Sequence, residues 1–210
     1  MSQNKWFIVE GNIGSGKTTL LEKLNENEQF EVVREPVGLW LSIKGSDGKN
    51  LLQEFYEEPS RYAYLFQTMA FKTRLESLEH QQTKENRFSE RSIWTDRYVF
   101  GKSCIDSNKM NTLETNCYHF WFDWLESKFW KKPDGIIYLR TSPEKCMERM
   151  KERARNEESS VPIEYLKELH DYHENWLTHW TTTPLLIIDN ENDNDWNNVL
   201  NQVNEFISSN

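Results

Sequence analysis

The sequence predicts an α/β fold whose parallel sheet is covered by helices on both faces. Five short apolar runs are separated by longer segments of helical period, and the first run leads straight into a glycine-punctuated turn that opens a helix.

The runs that read as strands are Lys5 to Glu10, Phe30 to Val33, Arg87 to Glu90, Gly135 to Leu139 and Leu185 to Ile188. A helix follows the first turn from Lys17. The longest helix is expected from about Ser60 to Lys84, with Tyr64, Leu65, Thr68, Phe71, Leu75 and Leu78 near helical spacing on its apolar face. Thr112 to Phe129, Ser142 to Arg153 and Pro162 to Trp180 are further helices. Asp189 to Asn198 is crowded with Asn and Asp and reads as a polar loop. In sheets of this kind ligands sit at the carboxyl ends of the strands.

A chain of 210 residues suits one compact domain, 1–210. The net charge of −9 argues against a nucleic-acid partner, because that binding is driven by neutralising many phosphates with Lys and Arg. Any anion must be held by a local basic cluster. No apolar run approaches the roughly 20 residues needed to cross a bilayer, so no membrane partner is expected. Met1 to Lys5 leaves no room for a signal or transit peptide before the first strand. Cys104, Cys117 and Cys146 are scattered and odd in number, against both a disulfide framework and a Cys-paired zinc site, and the cytoplasm is the expected compartment.

Gly11-Asn12-Ile13-Gly14-Ser15-Gly16-Lys17-Thr18, with Thr19 next, matches the complete Walker A pattern after a strand and at the start of a helix. The glycines let backbone N–H groups converge on phosphate oxygens, and the helix N-terminus adds its positive end. Lys17 would reach the outer phosphates and Thr18 would ligate the Mg²⁺ that accompanies a triphosphate. A glycine-rich turn without a nucleotide is the plain alternative, and it leaves the matched flanks unexplained. The companions of a GTPase switch are missing: no Asp is followed three residues later by Gly, and Asn108-Lys109-Met110-Asn111 lacks the final carboxylate that reads guanine.

Beyond this loop, Arg34-Glu35-Pro36-Val37 to Trp40, Phe66-Gln67-Thr68, Glu90-Arg91-Ser92, Asp96-Arg97-Tyr98 and Arg153-Ala154-Arg155-Asn156-Glu157-Glu158 resemble, in order, the motifs of the deoxyribonucleoside kinase family. The resemblance runs from about Trp6 to Trp180 and is nearest the deoxycytidine, deoxyguanosine and deoxyadenosine kinase branch. It implies a P-loop kinase fold with a five-stranded parallel sheet and an arginine-rich lid at about 149–160. It also implies transfer of the γ-phosphate of ATP or another triphosphate to a deoxynucleoside 5′-hydroxyl. Glu35 matches the family's general base, and an alcohol does need a carboxylate to take its proton as the bond to phosphorus forms. Arg91 would meet the 5′-hydroxyl and the moving phosphoryl group, and Glu90 matches a magnesium-associated carboxylate. A structural Glu-Arg ion pair is the competing reading of those two.

Arg149, Arg153 and Arg155 are a basic cluster in an acidic chain and look like the family's lid, which braces phosphoryl oxygens and excludes water. A solvated face paired with Glu148, Glu152 and Glu157 is the alternative. Ala154 stands where the family usually has glycine. By the same resemblance Tyr56 and Glu158 hold the sugar 3′-hydroxyl, Trp40 and Phe100 sandwich the base, and Gln67 pairs with its Watson–Crick edge. Arg74 and Asp96 match the cytosine and purine branch. A carboxylate accepts from exocyclic amino groups and would repel the O4 acceptor of thymine. Met69, Ala70 and Phe71 are expected to shape the base pocket, and Asn192 to Trp196 corresponds to the family's donor-base loop.

His170, His173 and His179 read as solvated helix positions and not as a metal site. Phe120, Trp121, Trp124, Phe129 and Trp130 form an aromatic stripe suited to core. The family's corresponding helices pair into a homodimer, which is expected here. Two rivals stay open: a nucleoside monophosphate kinase, and a noncatalytic P-loop subunit. The apolar residues after Glu35 argue against the first, and the full set Lys17, Thr18, Glu35, Arg91 and the lid arginines against the second.

Overall fold

The computed structural model describes residues 4–128, 131–192 and 196–210. Its strands are β1 (Lys5–Glu10), β2 (Phe30–Val33), β3 (Asn86–Glu90), β4 (Gly135–Arg140) and β5 (Leu185–Asp189). They form one sheet in the order β2-β3-β1-β4-β5, with every neighbouring pair parallel. Each strand agrees with its sequence-based expectation to within one residue at either end.

The helices are α1 (Lys17–Asn25), α2 (Val37–Ser42), α3 (Leu51–Glu57) and α4 (Pro59–Leu78), then α5 (Ile93–Thr95), which runs through a π-helical turn at Asp96–Phe100 into α6 (Gly101–Asp106). They continue as α7 (Thr112–Lys128), α8 (Pro143–Arg153), a 3₁₀ turn at Asn156–Glu158, α9 (Ile163–Thr178) and α10 (Trp196–Ser209).

Alternation along the strands builds two hydrophobic layers. Ile8, Ile136 and Tyr138 face one side, where they pack with residues of α4, α7 and α9. Phe7, Val9, Ile137 and Leu139 face the other, against Leu20, Leu21 and Leu24 of α1 and Val199, Val203 and Ile207 of α10. Full burial of each such side chain contributes about 1.5–3 kcal/mol, so both layers are needed to hold the sheet. The register aligns the strand ends: Val9 lies opposite Glu90, Glu10 opposite Tyr138, and Val33 opposite Ser89. The carboxyl edge therefore gathers Glu10, Glu90 and, two residues past β2, Glu35.

Several expectations need correction. α4 stops at Leu78 and not near Lys84, because the Arg87 guanidinium on β3 donates to the carbonyls of Leu78 (3.2 Å) and His80 (2.7 Å) and ends the helix. Its inward face agrees only in part with the one expected: Phe71 is buried and Tyr64, Leu75 and Leu78 pack partly buried against the core. Leu65 is 49% exposed, whereas Phe66, Gln67, Ala70, Phe71 and Arg74 are buried. The segment read as a polar tail contributes Asp189 to β5 and Trp196–Asn198 to α10, while Asp193–Asp195, within the expected donor-base loop, lie outside the described residues. Val199, Val203 and Ile207 recur every four residues, a helical signal masked by the Asn-rich sequence around them.

The aromatic stripe of α7 is not core. Tyr118, Phe122 and Leu125 point inward, while Phe120, Trp121 and Trp124 are 76%, 47% and 42% exposed. Phe129 and Trp130 lie outside the described residues. His173 is not solvated either. It is fully buried, its Nδ1 donates to the Leu169 carbonyl at 2.7 Å, and its ring stacks on Tyr138 with centroids 6.0 Å apart. Burial pushes its pKa down to about 3, so it is a neutral packing element. Among the described residues no cluster of three or more His, Cys, Asp and Glu side chains could hold a metal ion, and no helix is long and apolar enough to cross a membrane.

Gly101 permits the passage from the π turn into α6 beside α7. A Cβ there would lie 2.6 Å from Tyr118 Cζ and 2.7 Å from the Asp96 carbonyl oxygen. Gly101→Ala is therefore expected to lower Tm by roughly 3–10 °C, the cost of overpacking a tight contact in a chain of this size. An unchanged melting curve would show that Tyr118 can move aside.

Candidate active site

The phosphate loop links β1 to α1. Gly14 and Gly16 hold φ of 79° and 93°, and both are closely approached: a Cβ on Gly14 would come within 2.5 Å of the Cys146 carbonyl, and one on Gly16 within 2.8 Å of Asn190 Nδ2. Glycine meets both requirements. The loop is braced from two sides. Asn12 Nδ2 donates to the Leu166 carbonyl on α9 (2.8 Å), and Asn190, just past β5, donates to the Ser15 carbonyl (2.7 Å). Lys17 is buried with Nζ on the Asn12 carbonyl at 2.7 Å, and burial, with Arg91 nearby, lowers its pKa to about 8. Thr18 Oγ1 lies 3.2 Å from Glu90 Oε1.

Opposite the loop, Glu35 is clamped by two arginines. Arg91 Nη1 donates to Oε1 and Oε2 (2.8 and 2.9 Å), and Arg74 Nη2 donates to Oε1 (2.7 Å). Burial would raise this carboxyl, but Arg91, Arg74 and Lys17 outweigh it and hold it well below the usual carboxylate range. Glu35 is thus ionised and acceptor-only at neutral pH. Arg91 adopts φ 62°, a left-handed conformation that is uncommon for a non-glycine residue and that aims its guanidinium back across the sheet edge. It lies over the Phe100 ring at 4.8 Å.

Arg74 continues the network by donating through Nε to Asp96 Oδ2 at 2.8 Å. Burial pushes Asp96 up to about 6 against the pull of Arg74. Trp40 is buried beside Arg74, with its Nε1 donating to Thr73 Oγ1. At the open side, α8 ends in Ala154, whose φ of 51° is left-handed as in a glycine cap. The chain then turns so that Glu158 receives both Arg153 and, at 2.6 Å, Arg155 Nη1. Arg149 donates to the Asn190 carbonyl.

These groups surround a cavity of about 530 Å³. Among the sequence-predicted site residues, Ile13, Gly14, Gly16, Lys17, Thr18 and Thr19 line it from the phosphate loop. Glu35, Trp40, Tyr56, Arg74, Glu90, Arg91, Asp96 and Phe100 line its body, and Arg149, Arg153, Arg155 and Glu158 its mouth. Gly11, Asn12 and Ser15 of the same loop do not line the cavity. Gln67 does not line the cavity, yet it is fully buried with neither Oε1 nor Nε2 hydrogen-bonded. Met69, Ala70 and Phe71 do not line it either, and Phe71 stacks on Tyr118 instead. Leu52, Phe55 and Phe66, which sequence reasoning missed, make the apolar floor, and Arg34 stands at the rim. Phe55 stacks on Phe66 at 4.5 Å. Both sit beside residues that were singled out, Tyr56 and Gln67.

The profile of deoxynucleoside kinases matches residues 7–208, nearly the whole chain. The chain belongs to the deoxynucleoside kinase family. It is 37% identical to deoxycytidine kinase of Mus musculus over 98% of this chain and 92% of that one. It is also 38% identical to a probable deoxycytidine kinase of Fowlpox virus, covering 99% and 90%. Mitochondrial deoxyguanosine kinase of Xenopus laevis is 38% identical over 86% and 76%. This deoxynucleoside kinase is accordingly a phosphotransferase with an alcohol acceptor.

One carboxyl of the kinase was not anticipated. Glu10 ends β1 fully buried, accepts from Thr95 Oγ1 at 2.5 Å and from Ser92 Oγ at 3.4 Å, and leaves Oε2 without a partner. Burial raises its pKa from 4.5 to about 7, with Thr95, Arg91, Arg74 and Lys17 pulling the other way. A raised carboxyl favours folding while protonated. This contribution is fully present below about pH 4.5 and is lost as pH rises through about 7. Glu10→Gln keeps the acceptor and removes the titration. It is expected to flatten the fall in stability between pH 5 and 8, gaining on the order of 2 kcal/mol over wild type at pH 8. Parallel urea melts at the two pH values that show no difference between the proteins would refute this.

Proposed function

We propose that this kinase transfers the γ-phosphate of ATP, or of another nucleoside triphosphate, to the 5′-hydroxyl of a deoxynucleoside in nucleotide salvage, preferring deoxycytidine and purine deoxynucleosides to thymidine. The observation that carries this reading is the continuous set Asp96–Arg74–Glu35–Arg91. It presents a base-reading carboxylate and a hydroxyl-accepting carboxylate in one cavity with the phosphate loop.

In the transfer step the 5′-oxygen forms its bond to the γ-phosphorus as the bond to the diphosphate leaving group breaks, and Glu35 takes the hydroxyl proton. Arg91, fixed against Glu35, faces the same oxygen and the charge on the moving group. Lys17 meets the outer phosphates, and the loop's backbone N–H groups with Thr19 hold the rest. Arg149, Arg153 and Arg155 brace the equatorial oxygens from the mouth. The Thr18 hydroxyl and Glu90 carboxylate, 3.2 Å apart, are hard oxygen donors of the kind Mg²⁺ takes. They would hold the ion, which supplies charge neutralisation between donor phosphates.

Tyr56 and Glu158 face the sugar. Burial, and then the Glu158 charge, raise the Tyr56 pKa, so its hydroxyl stays protonated as a donor. Trp40 and Phe100 flank the base, and the unpaired Gln67 carboxamide offers one donor and one acceptor for its edge. We take 1–210 as a single domain. Its cysteines are free, which suits the cytoplasm. The exposed face of α7, with Phe120, Trp121 and Trp124, suits a homodimer interface.

The first test is phosphate transfer from Mg-ATP to an equimolar panel of deoxycytidine, deoxyadenosine, deoxyguanosine, thymidine and deoxyadenosine monophosphate. Turnover of the amino-bearing nucleosides is expected, and turnover of the monophosphate alone would overturn the acceptor. The kcat/KM ratio of deoxycytidine to thymidine should climb as pH rises from 5.5 to 7.5, because Asp96 becomes acceptor-only above about 6. A flat ratio would remove Asp96 from base reading. Glu35→Gln should lower kcat by roughly 10²–10⁴ while ATP still binds. In light scattering, wild type should run as a dimer and Trp124→Glu as a monomer, and a monomeric wild type would contradict the interface.

A further inference from the structure

We propose that Glu10 is a positioning residue which, through Thr95, holds the Arg91 backbone in the left-handed turn from which its guanidinium reaches Glu35. A left-handed residue other than glycine persists where its surroundings over-determine it. Three backbone groups around Arg91 are tied. Its own N–H donates to the Val9 carbonyl at 3.0 Å, its carbonyl accepts from Ser89 Oγ at 3.3 Å, and the next N–H, that of Ser92, donates to Thr95 Oγ1 at 2.9 Å.

Two of these ties depend on a hydroxyl, and a hydroxyl can turn. Each is set by a side chain of β1. Trp6 Nε1 donates to Ser89 Oγ at 2.9 Å, which leaves the serine hydrogen for the Arg91 carbonyl. Glu10 Oε1 takes the Thr95 hydrogen at 2.5 Å, which leaves a lone pair of Oγ1 for the Ser92 N–H. The carboxyl accepts in either protonation state, because its other oxygen can carry the proton. Ser92 and Thr95 also form the capping box of α5. Such boxes ordinarily place Glu or Gln third in the helix, where the side-chain oxygen needs no orienting. A threonine there needs an acceptor for its hydrogen, and Glu10 is that acceptor. An apolar side chain at the end of β1 would cost less to bury, but it could not orient Thr95.

The tether bears on the transfer step through the guanidinium. Arg91 Nη1 binds both oxygens of Glu35, and Nη2 lies 3.4 Å from the Gly11 carbonyl, so relaxing the turn re-aims a group set between Glu35 and the phosphate loop. The proposal rests on the reading that Arg91 meets the moving phosphoryl group. Losing an interaction made in the transition state lowers kcat and leaves KM.

Four single variants test it. Thr95→Val and Glu10→Met each break the chain from β1 to the Ser92 N–H with little change in shape, while Thr95→Ser and Glu10→Gln keep its hydroxyl and its acceptor. With Mg-ATP and deoxycytidine, the first pair is expected to lose roughly 30–100-fold in kcat with both KM values within about threefold of wild type. The second pair should keep kcat within about threefold. Amide exchange at Ser92 in the free protein should be roughly tenfold faster in Glu10→Met and in Thr95→Val than in wild type. Thermal melting checks the fold, and Thr95→Val carries the comparison if Glu10→Met melts early. Conservative variants as impaired as the disruptive ones, losses in KM in place of kcat, or unchanged exchange at Ser92 would overturn the proposal. Wild type inactive on every deoxynucleoside would sink the phosphoryl reading of Arg91, while exchange at Ser92 would still decide the tether.

Discussion

The site depends on one carboxylate held between two guanidinium groups. Glu35, Arg74, Arg91 and Asp96 are four charges withdrawn from water, and withdrawal on that scale is tolerated only when each charge is paired and hydrogen-bonded. The pairing fixes geometry in return. Arg74 comes from α4, Arg91 from the end of β3, Glu35 from beyond β2 and Asp96 from the π turn, so four segments distant in sequence are tied at one point. Replacing Arg74 with an apolar residue takes from Asp96 the guanidinium it faces, and replacing Glu35 removes the carboxylate that both arginines share and the contact that Arg91 makes from its left-handed backbone.

The phosphate loop is fixed by a different principle. Its own atoms provide the cradle, but its shape is kept by two carboxamides: Asn12 of the loop donates to the Leu166 carbonyl on α9, and Asn190 beyond β5 donates to the loop's Ser15 carbonyl. Because Arg149 donates to the Asn190 carbonyl, the root of the lid is anchored to the group that supports the loop. The loop and the arginine segment are therefore set against each other through backbone carbonyls, while the Glu35 side of the cavity is set by paired charges.

The five strands and the starts of α1, α4, α7, α8 and α9 could be read from sequence because their signals are local: apolar runs for β1 to β5, Ser142 and Pro143 opening α8, Gly16 before α1. What could not be read depends on distant partners. α4 ends where it does because of Arg87, a residue of the next strand. Its inward face carries Gln67 and Arg74, which hydropathy assigns to solvent, while Leu65 is exposed and Tyr64, Leu75 and Leu78 pack only at the margin of the core. The same blindness affected His173, whose burial requires the Tyr138 ring, and α7, where aromatic residues on both faces gave no clue to which would be covered. Glu10 is the plainest case. A carboxylate ending a strand looks like a surface residue until the register sets it beneath Ser92 and Thr95.

The strand order also dictates how the chain must come together during synthesis. β1 is made first but lies in the middle of the sheet, and its two partners are β3 and β4. Trp6 on β1 donates to Ser89 on β3, 83 residues away. At about 5–20 residues per second on a ribosome, the apolar central strand and the finished phosphate loop must wait several seconds for either neighbour. Parallel pairing over such distances is intrinsically slow. The strand that leads into the phosphate-loop motif is therefore the one that spends longest unpaired, which makes the nascent chain, more than the folded enzyme, the form most exposed to aggregation.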